Sequence, residues 1–176
     1  MRKLLANYFK KVNERFVKKH NLQPIAGSEN QWFYIEIIKY RGKEVLLNDG
    51  TRIMKGDQIG EIHLNNEKVT EHVGDIRFVF RAIEEECTAI AHSINQGNYK
   101  DVKAFWGITL MYPLAEKKGF EVREMKSKRK SFQLGLWESL IKYALEKNKT
   151  KFRLRKPKEI WMSYEKVQIK YNKEGR

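Results

Sequence analysis

The chain has 176 residues, one cysteine and a formal net charge of +14. That length supports one domain with a buried core, and we predict a single domain over residues 1–176. The lone cysteine excludes an intramolecular disulfide and fits a reducing compartment. No segment resembles a membrane span or a secretory signal peptide. We therefore expect a cytoplasmic protein, or one peripheral to the inner face of the membrane.

Positive charge is concentrated at the two ends of the chain. Residues 1–20 carry seven Lys/Arg against one Glu, residues 21–116 carry ten against fourteen acids, and residues 117–176 carry nineteen against seven. A field of this sign attracts anionic polymers, anionic lipid headgroups or nucleic acid. The alternative is that the lysine excess only keeps the chain soluble.

The first twenty residues place apolar side chains at helical spacing among basic ones, which predicts a basic amphipathic helix. Two roles stay open for its apolar stripe: docking on the domain's own sheet, or lying in a membrane interface. Residues 32–39, WFYIEIIK, are rich in β-branched and aromatic side chains and predict a strand.

Residues 40–66 contain three glycine turns between short apolar runs. Glycine supplies the φ > 0 geometry of tight hairpins, so the pattern predicts a three-stranded meander. In its last strand, alternation places Glu61 and His63 on one face. The turns are Arg41-Gly42, Asp49-Gly50 and Gly56-Asp57.

The longest predicted helix runs from residue 75 to 96, with Asp75 as N-cap and Gly97 as its C-terminal stop. Shorter elements follow it in the sequence. They are strands at 102–106, 120–125 and 160–163, helices at 110–118 and 134–145, and a short final helix. The predicted architecture is α+β: a curved, mainly antiparallel sheet packed by a long central helix, with amphipathic helices at both ends.

His63 is the first candidate for chemistry. It ends a strand beside Glu61 and is followed by Asn65 and Asn66, so imidazole, carboxylate and amide groups converge at one sheet edge. Turn chemistry is the alternative, because Asn often bonds its own backbone. We assign no catalytic residue, and keep His63, Glu61 and Asn66 as the candidates for a hydrolase or transferase.

Phosphate-binding loops, dinucleotide-binding glycines, nucleophile elbows and zinc-ligand spacings are absent from the sequence. The four histidines, His20, His63, His72 and His92, are far apart along the chain. We therefore predict no cofactor and no metal site.

The charge pattern favours binding of an anionic ligand or polymer, or of an anionic membrane surface. The candidate ligand-binding residues are Arg41, His63, Asn65, Asn66, Lys128, Arg129 and Lys130. A further class is nucleic-acid binding through residues 126–158, with Trp137 and Phe152 as stacking groups. These aromatics also fit helix and strand periodicity, so a core role is the simpler interpretation. No pattern predicts the oligomeric state.

Seven short motifs, in this order, resemble the YkoP-like family of Gram-positive, mostly spore-forming bacteria. They are KYRG (39–42), LNDG (47–50), KGD (55–57), GEIHLNN (60–66), GIT (107–109), KGFEV (118–122) and IWMS (160–163). The chain departs from the family pattern at Asn65, where Asp is usual, and at Tyr164, where Arg often follows the serine.

Members of the YkoP-like family look like small stand-alone proteins or domains attached to polysaccharide deacetylases. The resemblance therefore implies an association with envelope or spore glycan, and implies no particular reaction. Together with the charge pattern, it leads us to expect a non-catalytic accessory domain that binds an anionic ligand.

Overall fold

The computed structural model describes residues 2–65, 68, 75–127, 131–136, 139 and 154–172. The helices are α1 (Arg2–Lys19), α2 (Ile76–Asn95), α3 (Tyr112–Lys117) and α4 (Tyr164–Tyr171). The strands are β1 (Phe33–Lys39), β2 (Val45–Leu46), β3 (Arg52–Ile53), β4 (Gln58–Leu64), β5 (Val102–Thr109), β6 (Glu121–Arg123) and β7 (Lys158–Ser163). Residues 131–136 are also helical, and most of the predicted 134–145 helix lies outside the described residues.

Five strands form one mixed sheet in the order β1-β4-β5-β7-β6. β4 and β5 run parallel, and the other neighbouring pairs are antiparallel. The predicted α+β class and the mainly antiparallel sheet are confirmed. β2 and β3 form a separate two-stranded hairpin.

The predicted three-stranded meander is wrong, because β4 does not pair with β3. It pairs instead with all seven residues of β1, from Phe33 opposite Leu64 to Lys39 opposite Gln58. β1 offers β4 a full-length partner, whereas β3 has only two residues. After β4 the chain enters α2 and returns as β5, the helical crossover that a parallel pair requires.

Both faces of the sheet are covered. On one face, Ile62, Phe105 and Met162 are buried in a cluster that includes residues of α2, α3 and α4. On the other, Ile59 and Trp161 are buried against the β2–β3 hairpin. Because side chains alternate along a strand, Ile62 and Ile59 of β4 enter different cores.

The helix predicted for residues 75–96 is present as α2. The Asp75 carboxylate accepts a hydrogen bond from the Phe78 N–H at 2.9 Å, which confirms the predicted N-cap. Gly97 follows the helix with φ +87°, the left-handed conformation expected of a stop.

Glu86 of α2 is fully buried and anchors the segment that leads into β1. Its Oε1 accepts hydrogen bonds from the Ser28 hydroxyl at 2.6 Å and the Trp32 N–H at 2.7 Å. Burial raises the pKa of the Glu86 carboxyl above its ordinary value, and the hydrogen bonds oppose that shift.

Cys87, the next residue of α2, is buried in the same core as Tyr171 of α4. Burial raises the pKa of its thiol to about 12. The Tyr171 hydroxyl donates to the Lys118 carbonyl at 2.5 Å, which ties α4 to the end of α3. Cys87 is therefore a core residue.

The C-terminal end of α1 packs on the sheet. The Phe16 ring lies edge-on to the His63 ring of β4, with 5.2 Å between their centroids. Tyr8, two turns earlier, is exposed. Of the two roles predicted for this helix, docking on the sheet is observed at Phe16. Among the described helices, none combines the length and apolarity needed to cross a bilayer.

Substituting Val for Gly50 or Gly56 should destabilise the fold by about 1–3 kcal/mol each. Both glycines have positive φ, +88° and +99°, and an added Cβ would meet open space at either site. The loss would therefore report backbone strain rather than a clash. Urea unfolding measures it, with Lys55→Val in the same turn as the control. Stability equal to the parent in both glycine variants would contradict the turn geometry.

The buried carboxyl of Glu86 should make stability fall as pH rises. The pKa of Glu86 in the folded protein lies above 4.5, its ordinary value in the unfolded chain. Between pH 4.5 and the folded pKa, the native state therefore binds more protons than the unfolded chain. Relative to Glu86→Gln, the parent should be most stable below pH 4.5 and lose that advantage at higher pH. Urea unfolding across pH 4–8 measures the difference. Exposed Glu116→Gln is the control, and parallel curves for Glu86→Gln and the parent would contradict the assignment.

Candidate functional site

The β1–β4 register brings two carboxylates face to face. Glu36 of β1 lies directly opposite Glu61 of β4, and His63, two residues further along β4, is on the same face. The predicted shared face of Glu61 and His63 is therefore observed, with Glu36 added to it.

Glu36 stands between two histidines. Its Oε2 is 3.2 Å from His63 Nε2, and its Oε1 is 3.2 Å from His20 Nδ1. His20 lies just after α1, and the Phe16 ring packs against it with 4.4 Å between centroids. His20, Glu36, Glu61 and His63 are all partly buried, and we call these four residues the Glu–His cluster.

Burial changes the acid–base properties of the cluster. It raises the pKa of Glu61, and the neighbouring Glu36 carboxylate raises it further. It lowers the pKa of His63, although Glu36 opposes that shift. A carboxyl that resists ionisation thus lies beside an imidazole that resists protonation. Proton transfer is the chemistry this pair suits, as the predicted hydrolase or transferase alternative requires.

The cluster can also hold a cation. One ligand atom from each of Glu36, Glu61 and His63 lies within 4.8 Å of the other two.

Trp106, the β5 neighbour of Glu61 in the sheet, lies on the same face of the sheet as the Glu–His cluster. Its indole nitrogen is buried and has no hydrogen-bond partner within the described part of the chain.

A second feature is a groove of about 430 Å³ beside the ends of β5 and β6 and the start of β7. Lys158 Nζ lies 4.8 Å from the centroid of the Tyr112 ring and 2.7 Å from Glu124 Oε1. Arg155 and Lys156, both exposed, also line it. We call this feature the basic groove; its lining residues are Leu110, Tyr112, Pro113, Glu124, Arg155, Lys156 and Lys158.

Comparison with known proteins identifies the family. The model of the YkoP domain matches residues 2–171. The chain belongs to the YkoP family. The resemblance drawn from the seven sequence motifs is thereby confirmed.

One curated relative in this family is "Uncharacterized protein YkoP" of Bacillus subtilis (strain 168). It is 28% identical over 109 residues, which cover 57% of this chain and 60% of the relative. The chain thus matches less than two thirds of that relative's length. No solved structure matches.

Asn65, one of the predicted ligand-binding residues, has a structural position. It is 8% exposed, and its side-chain amide donates to the Gln31 carbonyl at 3.3 Å and to the Tyr34 hydroxyl at 3.0 Å. Its backbone N–H donates to the Trp32 carbonyl at 2.7 Å. These contacts hold the end of β4 in place. The Asn65 amide is therefore hydrogen-bonded to Gln31 and Tyr34 and is not directed at His63.

The structure does not bring Arg41 near His63. Arg41 follows the Lys39–Gln58 end of the β1–β4 pair, whereas His63 is near the opposite end. The remaining predicted binding residues, Asn66, Lys128, Arg129 and Lys130, lie outside the described residues, as do the proposed stacking groups Trp137 and Phe152.

Sequence reasoning missed Glu36 and His20. The available signal for Glu36 was a charged residue among the largely apolar residues 33–38 of the strand FYIEIIK. Using it required the β1–β4 register, which a predicted meander does not contain. His20 meets Glu36 only through the packing of α1, and nothing in its local sequence indicates that.

Removing the His63 side chain should destabilise the fold by about 1 kcal/mol, because its hydrogen bond to Glu36 and its contact with Phe16 are lost. Chemical unfolding of His63→Ala measures this. His92→Ala is the matched control, since His92 is exposed on α2, and it should change stability by less than about 0.5 kcal/mol. Equal effects in the two variants would contradict the contact pattern.

Proposed function

We propose that this member of the YkoP family is a non-catalytic accessory domain that binds an anionic ligand in the basic groove. The observation that carries the proposal is the convergence of three cationic side chains and one aromatic ring in a concave surface. Arg155, Lys156 and Lys158 outnumber the single carboxylate, Glu124, in the groove lining. This net positive charge agrees with the basic C-terminal third of the sequence.

Arg155 and Lys156 are the groups we expect to contact the ligand first. Lys158 is held by Glu124, whereas no carboxylate of the described residues lies within ion-pair distance of Arg155 or Lys156. A guanidinium binds phosphate or carboxylate through two parallel hydrogen bonds, and a nearby ammonium adds charge. Tyr112 supplies an apolar ring surface beside them.

An intracellular precursor of an envelope or spore-glycan polymer, bearing phosphate or carboxylate, is the ligand class we favour. The support is the family resemblance, which implies an association with polysaccharide deacetylases.

We place the protein in the cytoplasm or at the inner face of the membrane, because it has a single buried cysteine and a basic amphipathic α1.

Neutralising the groove should weaken binding to immobilised poly(glycerol phosphate) by at least about tenfold, because two charge-assisted contacts are lost in Arg155→Gln/Lys156→Gln. Binding of the parent should also fall steeply from 0.1 to 1 M salt, as the screening length shrinks from about 10 to about 3 Å. Surface plasmon resonance gives both measurements.

The matched control removes two charges elsewhere. Arg81→Gln/Lys100→Gln, at exposed positions in α2 and just before β5, changes net charge equally and should alter affinity less than about twofold. Equal losses in the two double variants would show that diffuse charge, and not the groove, binds the polymer. Tighter binding to single-stranded DNA than to poly(glycerol phosphate) would instead favour the nucleic-acid alternative.

A further inference from the structure

We propose that Glu36, Glu61 and His63 bind a divalent transition-metal ion, with Zn²⁺ the best chemical match. Their three ligand atoms already lie within 4.8 Å of one another. Ligands at about 2.0–2.2 Å from a tetrahedral zinc ion are separated by roughly 3.4 Å. Closing the site therefore requires these separations to shorten by about 1.4 Å at most, which is within the reach of side-chain rotation. This inference does not depend on the basic groove.

The sheet holds these ligands in place before any ion arrives. Glu36 and Glu61 are directly opposed in the antiparallel β1–β4 pair, and His63 is the next residue of β4 on that face. Strand pairing fixes all three Cα positions. Sites built on paired strands hold their ligands more rigidly than sites on loops.

The charge of the cluster favours a cation. Two carboxylates lie opposite each other, and like charges in that position are unfavourable. Within the described residues, the basic groups within ion-pair distance of Glu36 are the imidazoles of His20 and His63, and neither a lysine nor an arginine is that close to Glu36 or Glu61. A divalent ion would neutralise both carboxylates together.

The donor set selects the kind of ion. Two carboxylates and an imidazole match zinc and neighbouring transition metals, whereas calcium and magnesium prefer oxygen ligands alone. Three protein ligands leave one tetrahedral position for water or an anionic group. A site of this kind was not predicted, because its ligands come from two strands with no zinc-ligand spacing.

His20 is a positioning residue in this arrangement. Its Nδ1 lies 3.2 Å from Glu36 Oε1, whereas His63 contacts Oε2, so His20 orients the carboxylate. Groups that hydrogen-bond metal ligands in this way contribute about 10–100-fold to metal affinity. The Phe16 ring contacts both histidines, at centroid distances of 4.4 Å to His20 and 5.2 Å to His63.

Titration calorimetry with Zn²⁺ on the chelator-treated full chain tests the proposal, and Co²⁺ absorption reports the coordination geometry. We expect one ion per chain. Glu61→Gln and His63→Ala should each lose more than about 100-fold in affinity, and His20→Ala about 10–100-fold. His20→Asn, which keeps an N–H near the Nδ1 position, should recover part of that loss. His92→Ala should bind as the parent does.

Glu61→Gln keeps the test valid if His63→Ala folds poorly, because it removes one of two facing negative charges and should melt no lower than the parent in chelator. The groove variant Arg155→Gln/Lys156→Gln should bind Zn²⁺ normally, which separates this site from the anion-binding proposal. Absence of saturable Zn²⁺ binding by the parent would overturn the inference. So would parental affinity in Glu61→Gln and His63→Ala, or an equal loss in His92→Ala.

Discussion

The pairing of β1 with β4 is the constraint on which the rest of the structure depends. It sends Phe33 and Ile62 into the core covered by α2, and it places Glu36 and Glu61 on the opposite face. A slip of one residue would exchange the two faces of a strand, exposing apolar side chains and burying charged ones. The packing of the core therefore fixes the geometry of the Glu–His cluster. Glu86 reinforces that register by holding Trp32 immediately before β1.

Local signals in the sequence predicted most individual elements. Helical periodicity, Asp75 and Gly97 located α2 to within a residue or two, and the β-rich 32–39 segment located β1. The partner of β4 could not be predicted in the same way, because pairing depends on contacts distant in sequence. Neighbouring strands separated by tight turns favour a meander, but the short β2–β3 hairpin packs on the sheet instead of extending it. Pairing of β4 with β3 and pairing of β4 with β1 both agree with the local sequence, and tertiary contacts stabilise the second.

The same limit explains how much of the candidate site was predictable. Alternation within one strand was enough to place Glu61 and His63 together. Glu36 and His20 joined them only through strand register and the docking of α1. Asn65 shows the opposite case. Its position after a strand suggested a polar site, whereas its side-chain amide hydrogen-bonds Gln31 and Tyr34 and stabilises the end of β4. Residue type and spacing thus predict local geometry better than they predict which side chains meet.

Because Cys87 is buried, the reactivity of its thiol reports how often the core around it opens. Thiol reagents attack the thiolate, and at a pKa of about 12 that form is scarce at neutral pH. Cys87 is also only 1% exposed, in the core that residues of α2 and α4 share. Alkylation of the Cys87 thiol therefore requires this core to open. When reclosing is fast compared with alkylation, the alkylation rate is proportional to the population of the open state. With one cysteine in the whole chain, the signal comes from a single known position.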